Sequence, residues 1–227
     1  MSVYYVDEFV TLHLGDCLEV TDWLSADVLV TDPPYGIAYS RGKWARSANP
    51  DKGSDGIAND TDTSVRDGVL ALWGGKPALV FGSPRISKPD GVRWTLVFEK
   101  PIFGCSLFGQ RGPWLANWEM VFALGDWPDQ TPSRSAVIRT RALAAGGYSG
   151  YATRAGHPHS KPLDVMEALI DACPPGVIAD TSAGSGSTLV AAKALGRKSV
   201  GVEIDERYCE IAAKRLSQGV LDFGGAA

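Results

Sequence analysis

The chain has 227 residues, of which 44% are hydrophobic and 21% charged, and a formal net charge of −4, which is ordinary for a globular protein. This length predicts a single domain over residues 1–227, and the composition excludes a disordered, fibrous or coiled-coil protein. Because there is no apolar run of about 18 residues, no membrane span is predicted. The 4 cysteines are too scattered for disulfides or a metal site, which suits a cytoplasmic location.

The N-terminal half is predicted to contain short strands separated by a long polar segment. A strand is expected at 9–14, a short helix at 17–24 and a second strand at 27–31. The second strand is the continuous apolar run DVLVT, which is typical of a strand buried on both faces. Residues 40–63 are rich in Ser, Gly, Asn and Asp and predict a long loop, of a length that is usually either functional or disordered. A helix at 63–73 and strands at 78–81, 93–98 and 119–124 follow.

The C-terminal half becomes regular after an insert at about 125–157, which is predicted to be mostly irregular. Beyond the insert we expect a helix at 163–170, a strand at 177–180, a helix at 187–195, a strand at 199–204 and a helix at 206–216. Strands that alternate with helices in this way predict an α/β fold with a mainly parallel sheet.

A glycine turn, AGSG at 183–186, connects the strand at 177–180 to the helix that follows it. Such a turn brings backbone N–H groups and the start of a helix close to a ligand. Glu203 lies 23 residues after Asp180, at the end of the next strand, where a carboxylate can accept hydrogen bonds from both ribose hydroxyls of a nucleoside. Because Leu189 replaces the third glycine of the dinucleotide motif, the pattern favours an adenosine-type cofactor. The alternative is a tight turn with only a structural role.

The tetrapeptide Asp32-Pro33-Pro34-Tyr35 directly follows the buried strand at 27–31, at the edge of the sheet where ligands of open α/β folds bind. Asp32 can accept one N–H bond of an amine, and the proline-fixed backbone can present a carbonyl group to the other. Tyr35 can stack on a planar ring that carries the amine. Two acceptors on the amine hydrogens draw the lone pair out of ring conjugation, which favours alkylation. The alternative is a proline-rich strand end with a structural aspartate.

Three segments resemble the S-adenosylmethionine-dependent DNA amino-methyltransferases of the β-type order, in which the catalytic tetrapeptide precedes the glycine turn. They are LHLGDCLEV…ADVLVTDPPYGIAY, HPHSKPLDVMEALI and DTSAGSGSTLVAAKALGRKSVGVEIDERYCEIAAKRL, and WTLVFEKP and NWEMVFALG resemble the intervening strands. The resemblance covers most of the chain except 125–155 and the last ten residues. It implies a Rossmann-like methyltransferase fold, with a mostly parallel twisted sheet and helices on both faces. The chain departs from the family at Thr181 and Ser182, where Pro and Phe are usual.

The resemblance also implies roles for individual residues. The catalytic group is Asp32, Pro33, Pro34 and Tyr35. The cofactor S-adenosyl-L-methionine would be held by Asp16 and Cys17 at its adenine, by Glu203 at its ribose, by Asp180, Ser182, Gly184, Ser185 and Gly186 at its methionine part, and by Ser160 and Lys161 near its carboxylate. For Lys161 the alternative is a surface lysine before a proline. No metal is expected, and His157 and His159 are assigned no catalytic role.

Two basic stretches are candidates for contacts with double-stranded DNA. Residues 130–161 hold five cations and no acid, and residues 40–53 hold four cations and one acid. The candidate residues are Arg41, Lys43, Arg46, Arg134, Arg139 and Arg141. The insert at 125–157 is short for a target-recognition region, which implies a small recognition site or recognition shared across a homodimer. The alternative is that both stretches are solvated loops.

The resemblance implies DNA methylation of the kind found in restriction–modification systems, on an exocyclic amine of a base that has left the duplex. Adenine N6 is favoured because Asp is commoner than Ser as the first residue of the tetrapeptide in adenine enzymes. N4 of cytosine is the alternative. A catalytically weak or inactive DNA-binding module with this fold is a rival of another class. A third hypothesis is a methyltransferase that acts on protein or RNA, but the order of the two motifs disfavours it.

Overall fold

A computed structural model describes residues 2–37, 59–100, 114, 117–129, 133–140 and 160–218. Its strands are β1 (Ser2–Val6), β2 (Val10–Leu14), β3 (Val28–Thr31), β4 (Ala78–Gly82), β5 (Trp94–Glu99), β6 (Trp118–Leu124), β7 (Val137–Arg139), β8 (Ile178–Asp180) and β9 (Ser199–Glu203). Its helices are α1 (Ser64–Trp73), α2 (Leu163–Asp171), α3 (Ser187–Ala194) and α4 (Glu206–Ser217), with a short 3-10 helix at Asp22–Ser25. Among these helices, none combines the length and apolar character needed to cross a membrane.

The described strands form one sheet in the order β1-β2-β9-β8-β3-β4-β6-β5-β7. The five strands from β2 to β4 in this order are parallel to one another. Strand β1 runs antiparallel to β2, and β6 runs antiparallel to both β4 and β5. The sheet is therefore mixed with a parallel centre, and the predicted α/β fold is confirmed.

Alternate residues of β3 pack against helices on opposite faces of the sheet. Val28 and Val30 lie in a cluster with residues of α2 and α3, whereas Leu29 lies in a cluster with residues of α1. This period of two explains why the run DVLVT is continuously apolar. Trp23 and Trp73 stack below the second face with ring centroids 5.8 Å apart. Helix α4 covers β2 and α3 through a third cluster.

The N-terminal segment differs from its sequence-based prediction in two places. Strand β1 was not predicted, because its residues are mostly exposed and show no regular alternation. The helix predicted at 17–24 is wrong, since only the 3-10 helix at Asp22–Ser25 forms there. The Trp23 indole donates to the carbonyl oxygen of Cys17 across 2.9 Å, and this bond folds the segment back into a turn. Within the insert that was predicted to be mostly irregular, β7 pairs in parallel with β5.

The topology brings the two predicted motifs to one edge of the sheet. Strands β3 and β8 are hydrogen-bonded neighbours, with Val28 opposite Ile178. Because they are parallel, the tetrapeptide after β3 and the glycine turn after β8 leave from the same edge. Strand β6 is reversed, so its first residues, rather than its last, lie at this edge, where Met120 pairs with Gly82 at the end of β4.

A candidate active site at the carboxyl edge of the sheet

Both carboxylate oxygens of Asp32 are engaged. Oδ1 accepts a hydrogen bond from the Tyr35 hydroxyl at 2.7 Å, and Oδ2 accepts one from the Lys161 ammonium. Burial, followed by the charge of Asp32, raises the pKa of Tyr35 well above its usual range, so its hydroxyl keeps its proton and remains a donor. These bonds join Asp32 to Tyr35 within the tetrapeptide and join Asp32 to Lys161.

Lys161 lies in a buried group of charges rather than on the surface. Only 6% of the residue is exposed, which excludes the surface-lysine reading. Its Nζ lies 3.4 Å from Oε2 of Glu119, 3.4 Å from the Tyr35 hydroxyl oxygen and 4.7 Å from the centroid of the Phe81 ring. The adjacent residue of the predicted cofactor segment, Ser160, points to the glycine turn instead.

Glu119 was not among the predicted site residues. Its Oε1 accepts a hydrogen bond from the Lys100 ammonium, and its Oε2 is buried without a hydrogen bond, facing Lys161. Burial raises the pKa of Glu119, but the neighbouring charges of Lys161 and Lys100 outweigh burial and lower the pKa below its usual range. Glu119 is therefore ionised. In the sequence, Glu119 is an acidic residue near the start of a predicted strand. Such a residue reaches this edge of the sheet only if its strand runs antiparallel to the neighbouring strand.

Asp60 fixes the chain directly after the tetrapeptide and was also missed. It is 3% exposed, and its Oδ1 accepts hydrogen bonds from the backbone N–H groups of Gly36 at 2.7 Å and Ile37 at 3.4 Å. Gly36 has φ +74°, and a Cβ there would lie 2.6 Å from the carbonyl carbon of Asp62. Only glycine therefore permits this close approach of the two loops.

The glycine turn has the backbone conformation that its sequence predicts. Gly184 and Gly186 have φ values of 51° and 78°, and α3 begins directly afterwards at Ser187. The Gly184 N–H donates to Oε2 of Glu203 at 2.7 Å, and the Asp205 N–H donates to Oε1 at 2.9 Å. Glu203 thus braces the turn from the next strand, and each of its oxygens retains a further lone pair for a ligand.

Asp180 lies at the base of the turn and contacts the strand that carries the tetrapeptide. Its Oδ1 accepts hydrogen bonds from the Thr31 hydroxyl at 2.9 Å and from the Ser182 N–H at 3.0 Å. Burial raises the pKa of Asp180 to about 6, although hydrogen bonds from Thr188, Ser182 and Thr31 lower it. The Thr181 hydroxyl lies 3.0 Å from that of Thr31. Thr181, one of the two residues that depart from the family pattern, therefore belongs to the same hydrogen-bond network.

A serine cluster connects the segment before α2 to the glycine turn. The Ser160 hydroxyl lies 2.8 Å from that of Ser185 and 3.1 Å from that of Ser187. Arg215, from α4, donates to the carbonyl oxygen of Ser185 at 2.6 Å. Ser160 and Lys161 are neighbours in the chain, and they contact the glycine turn and the tetrapeptide respectively.

Asp16 and Cys17 follow β2, which pairs with β9, and so reach the same edge. The Gly15 N–H donates to the carbonyl oxygen of Glu203 at 2.9 Å, and Asp16 Oδ1 accepts from the Leu18 N–H at 2.8 Å. Burial raises the pKa of the Cys17 thiol to about 12, so Cys17 is a neutral, buried side chain here. The carbonyl oxygen of Cys17 accepts the hydrogen bond from the Trp23 indole.

The described candidates for DNA contact form surface ion pairs. Arg134 donates to Oδ2 of Asp171 at 2.7 Å, and Arg139 donates to Oε2 of Glu99 at 2.7 Å. These pairs lie outside the cluster around Asp32. Arg41, Lys43, Arg46 and Arg141 lie outside the described residues, as do His157 and His159.

Comparison with known proteins finds a methylase family and individual methyltransferases. The family model described as DNA methylase matches residues 111–214. The chain is 38% identical over 225 residues to "Putative methylase YubD" of Escherichia coli (strain K12), an alignment that covers 93% of each chain. It is 43% identical over 76 residues to Type II methyltransferase M.ScaI of Streptomyces caespitosus, covering 33% of this chain and 25% of that protein. The chain thus spans a quarter of the length of the latter relative.

Two solved structures of similar fold cover nearly the whole chain. The M1.HpyAVI–SAM complex superposes with a TM-score of 0.59 at 18% identity, over 91% of this chain and 98% of that one. The cytosine-N4-specific PvuII DNA methyltransferase superposes with a TM-score of 0.60 at 14% identity, over 99% of this chain and 90% of that one. At these identities the likeness concerns the fold alone.

Proposed function

Because this chain belongs to the family of S-adenosylmethionine-dependent DNA amino-methyltransferases, we propose that it methylates the exocyclic amine of a flipped-out base in double-stranded DNA, with adenine N6 as the target. The observation that carries the proposal is the pairing of β3 with β8. This pairing sets the acceptor side chain of the tetrapeptide and the glycine turn side by side at one sheet edge. A cofactor held at the turn would thus lie next to an amine held at Asp32.

The residues around the glycine turn fit the cofactor's polar groups. Gly186 cannot carry a side chain without strain, since a Cβ there would lie 2.9 Å from that of Ala212 and φ is 78°. Glu203 retains lone pairs for the two ribose hydroxyls, and Asp180 offers a carboxylate to the cofactor's amino group. Asp16 lies at the same edge, at the position that the family uses for adenine. Ser182, Ser185 and Ser160 supply the remaining polar surface of the turn.

The residues around Asp32 fit the amine. When bound, the cofactor would supply an electrophilic methyl carbon to the amine nitrogen, and the electron pair of its carbon–sulfur bond would leave with sulfur. Asp32 accepts one N–H bond with a lone pair that Tyr35 and Lys161 leave open, and the backbone of the tetrapeptide presents the second acceptor. The nitrogen then loses one proton, which we assign to the Asp32 carboxylate because that group is the proposed acceptor of the N–H bond. Positioning and electrostatics supply the acceleration.

Adenine is proposed over cytosine because the tetrapeptide begins with Asp32. The alternative is N4 of cytosine, in the manner of PvuII methyltransferase, whose fold this chain shares. Both amines are bonded to an aromatic ring next to a ring nitrogen, so the acceptors at Asp32 suit either. The choice between them depends on the shape of the base pocket.

We also propose that residues 1–227 form one methyltransferase domain whose insert at 125–157 recognises the target. Within it, Arg134 and Arg139 are exposed and their ion pairs are open to solvent. Such pairs exchange readily for phosphate contacts. A homodimer would extend this short recognition surface across two copies.

The test is methylation of plasmid DNA by the purified protein with the cofactor, followed by nucleoside analysis. We expect N6-methyladenine, and we expect none with the Asp32→Ala variant. N4-methylcytosine instead would overturn the choice of base. A protein that binds the cofactor in calorimetry but yields no methylated nucleoside on a wide set of DNA sequences would favour the alternative of a DNA-binding module.

A further inference from the structure

We propose that Glu119 and Lys100 are positioning residues that act on Asp32 through Lys161 and keep the charge at the amine site close to zero. The inference rests on the proposed amine site at Asp32. It concerns two residues that belong to neither the tetrapeptide nor the glycine turn, and they reach the site from different strands.

Four side chains of alternating charge form a continuous row. Lys100 donates to Glu119 Oε1, Glu119 Oε2 faces Lys161 at 3.4 Å, and Lys161 donates to Asp32 Oδ2. The row is largely buried, with exposed side-chain fractions of 18% for Lys100, 15% for Glu119, 7% for Lys161 and 25% for Asp32. Within this row of described residues, the charges of two ammonium groups and two carboxylates therefore cancel, and water reaches these groups poorly.

The backbone holds the outer half of the row in place. Lys100 directly follows β5 and Glu119 is the second residue of β6, and these strands are antiparallel neighbours. The Lys100 N–H donates to the carbonyl oxygen of Asn117 at 2.6 Å, and the Asn117 side chain donates back to the carbonyl oxygen of Lys100 at 3.3 Å. This closed end of the ladder fixes Glu119 opposite Lys161.

The charge of Lys161 needs such a counterpart during methyl transfer. The amine nitrogen gains positive charge as it forms its bond to carbon, and an ammonium next to it opposes that change, most strongly where water is scarce. Asp32 alone cannot both offset Lys161 and attract the amine. Glu119 offsets Lys161 through Oε2, which lies 3.4 Å from Nζ, and this leaves the field of Asp32 for the amine. Lys100 in turn keeps Glu119 ionised and in place.

The experiment compares Glu119→Gln, Lys100→Met and the double variant with the wild type. Glu119→Gln leaves a surplus buried cation, so we expect kcat to fall by about tenfold or more while the cofactor dissociation constant changes by less than about threefold. Adding Lys100→Met removes that surplus, so the double variant should have a kcat equal to or higher than that of Glu119→Gln. Glu210→Gln, at an exposed i,i+4 pair with Lys214, is the matched control and should be unchanged.

Two results would overturn the inference. One is a wild-type kcat in Glu119→Gln. The other is a double variant whose losses multiply, because independent structural roles predict that outcome. A purely structural Glu119 would also lower kcat only through the folded fraction, so kcat is normalised to the protein that binds cofactor.

A second readout separates this inference from the proposed function. A wild-type protein that methylates no DNA contradicts the proposed function, and the charge row is then judged by chemical unfolding alone. We expect Glu119→Gln to unfold at lower denaturant than the wild type, and the double variant to unfold at the same or higher denaturant than Glu119→Gln. The reverse order would show that Lys100 does not act through Glu119.

Discussion

The hydroxyl of Thr31 donates a hydrogen bond to Oδ1 of Asp180 across 2.9 Å, although 149 residues separate them in the chain. Thr31 is the last residue before the tetrapeptide, and Asp180 is the last residue of β8, three positions before the glycine turn. This buried bond therefore fixes the distance between the proposed amine site and the proposed cofactor site. The burial that makes the bond strong also makes the charge of Asp180 costly.

Asp180→Asn should stabilise the protein at pH 7 while weakening cofactor binding. Burial raises the pKa of Asp180 to about 6, so the native state holds a proton that the unfolded chain has lost, and stability falls as the pH rises from about 4 to 6. Asparagine avoids this cost, and we expect a gain of about 1–3 kcal/mol at pH 7 that vanishes near pH 4. Urea unfolding at both pH values, with calorimetry of cofactor binding, measures both effects. A less stable variant at pH 7 would contradict this account.

Asp32→Ala should abolish methyl transfer and leave cofactor binding nearly intact. The side chain lies at the tetrapeptide and contacts Tyr35 and Lys161 rather than the glycine turn. Loss of an acceptor that acts on the amine should cost about 2–4 kcal/mol of transition-state stabilisation. Single-turnover methylation and calorimetry measure the two quantities. Asp32→Asn, which keeps one acceptor, is the milder companion. A rate close to that of the wild type would refute the role.

Glu203→Ala should weaken cofactor binding, in contrast to Asp32→Ala, which should leave it nearly intact. It removes the acceptors for the N–H groups of Gly184 and Asp205 as well as those proposed for the ribose. We expect the dissociation constant to rise by at least about tenfold, since each bond is worth about 1 kcal/mol. Glu206→Ala, in the first turn of α4, is the control and should bind normally. Equal cofactor affinity in both variants would remove Glu203 from the site.

Replacing Arg134 and Arg139 together by Ala should weaken DNA binding more than cofactor binding. Their ion pairs with Asp171 and Glu99 are exposed, so their loss should cost less than about 1 kcal/mol of stability each. If both contact phosphates, affinity falls on every sequence and the slope of log affinity against log salt shrinks by about two. Titrations of specific and random duplexes at several salt concentrations test this. Unchanged binding throughout would show that these arginines are only solvated.

Asp7 should support the fold in a pH-dependent way. Burial raises its pKa, but hydrogen bonds from Lys193, Tyr5 and the backbone N–H groups of Phe9 and Val10 outweigh burial and lower the pKa to about 2. Its stabilisation, about 2 kcal/mol, is therefore complete above about pH 4 and is lost as the pH falls towards 2. Asp7→Asn should be less stable at pH 7 and show a shallower loss of stability in acid. Parallel curves for the two proteins would contradict this.

The elements that the sequence predicted are those whose signal is local. The run DVLVT, the prolines after it and the glycines at 184 and 186 each determine their own backbone, and the structure has them as expected. Glu119 was missed because its place at the site depends on the direction of β6, which no local pattern encodes. Asp60 was missed for a related reason, since its partners Gly36 and Ile37 are more than 20 residues away.

The contacts of Lys161 also could not be predicted from local sequence. The resemblance selected its segment as cofactor-binding but supplied no contact between side chains, and its partner Asp32 is 129 residues distant in the chain. Strand β1 escaped prediction because pairing with β2, rather than burial of one face, holds it. The sequence could predict which segments lie at this edge of the sheet, but it could not predict which side chains contact one another across them.

The two halves of the site, joined by the pairing of β3 with β8, come from opposite ends of the chain. A cut between β7 and α2 would place the tetrapeptide on one fragment and the glycine turn on the other. Neither fragment alone could then carry out the reaction, and their reunion would depend on noncovalent strand pairing and on the packing of α2 and α3 against the sheet. If the proposed activity is correct, the architecture is suited to a split enzyme whose methyl marks on DNA would record where two fused proteins have met.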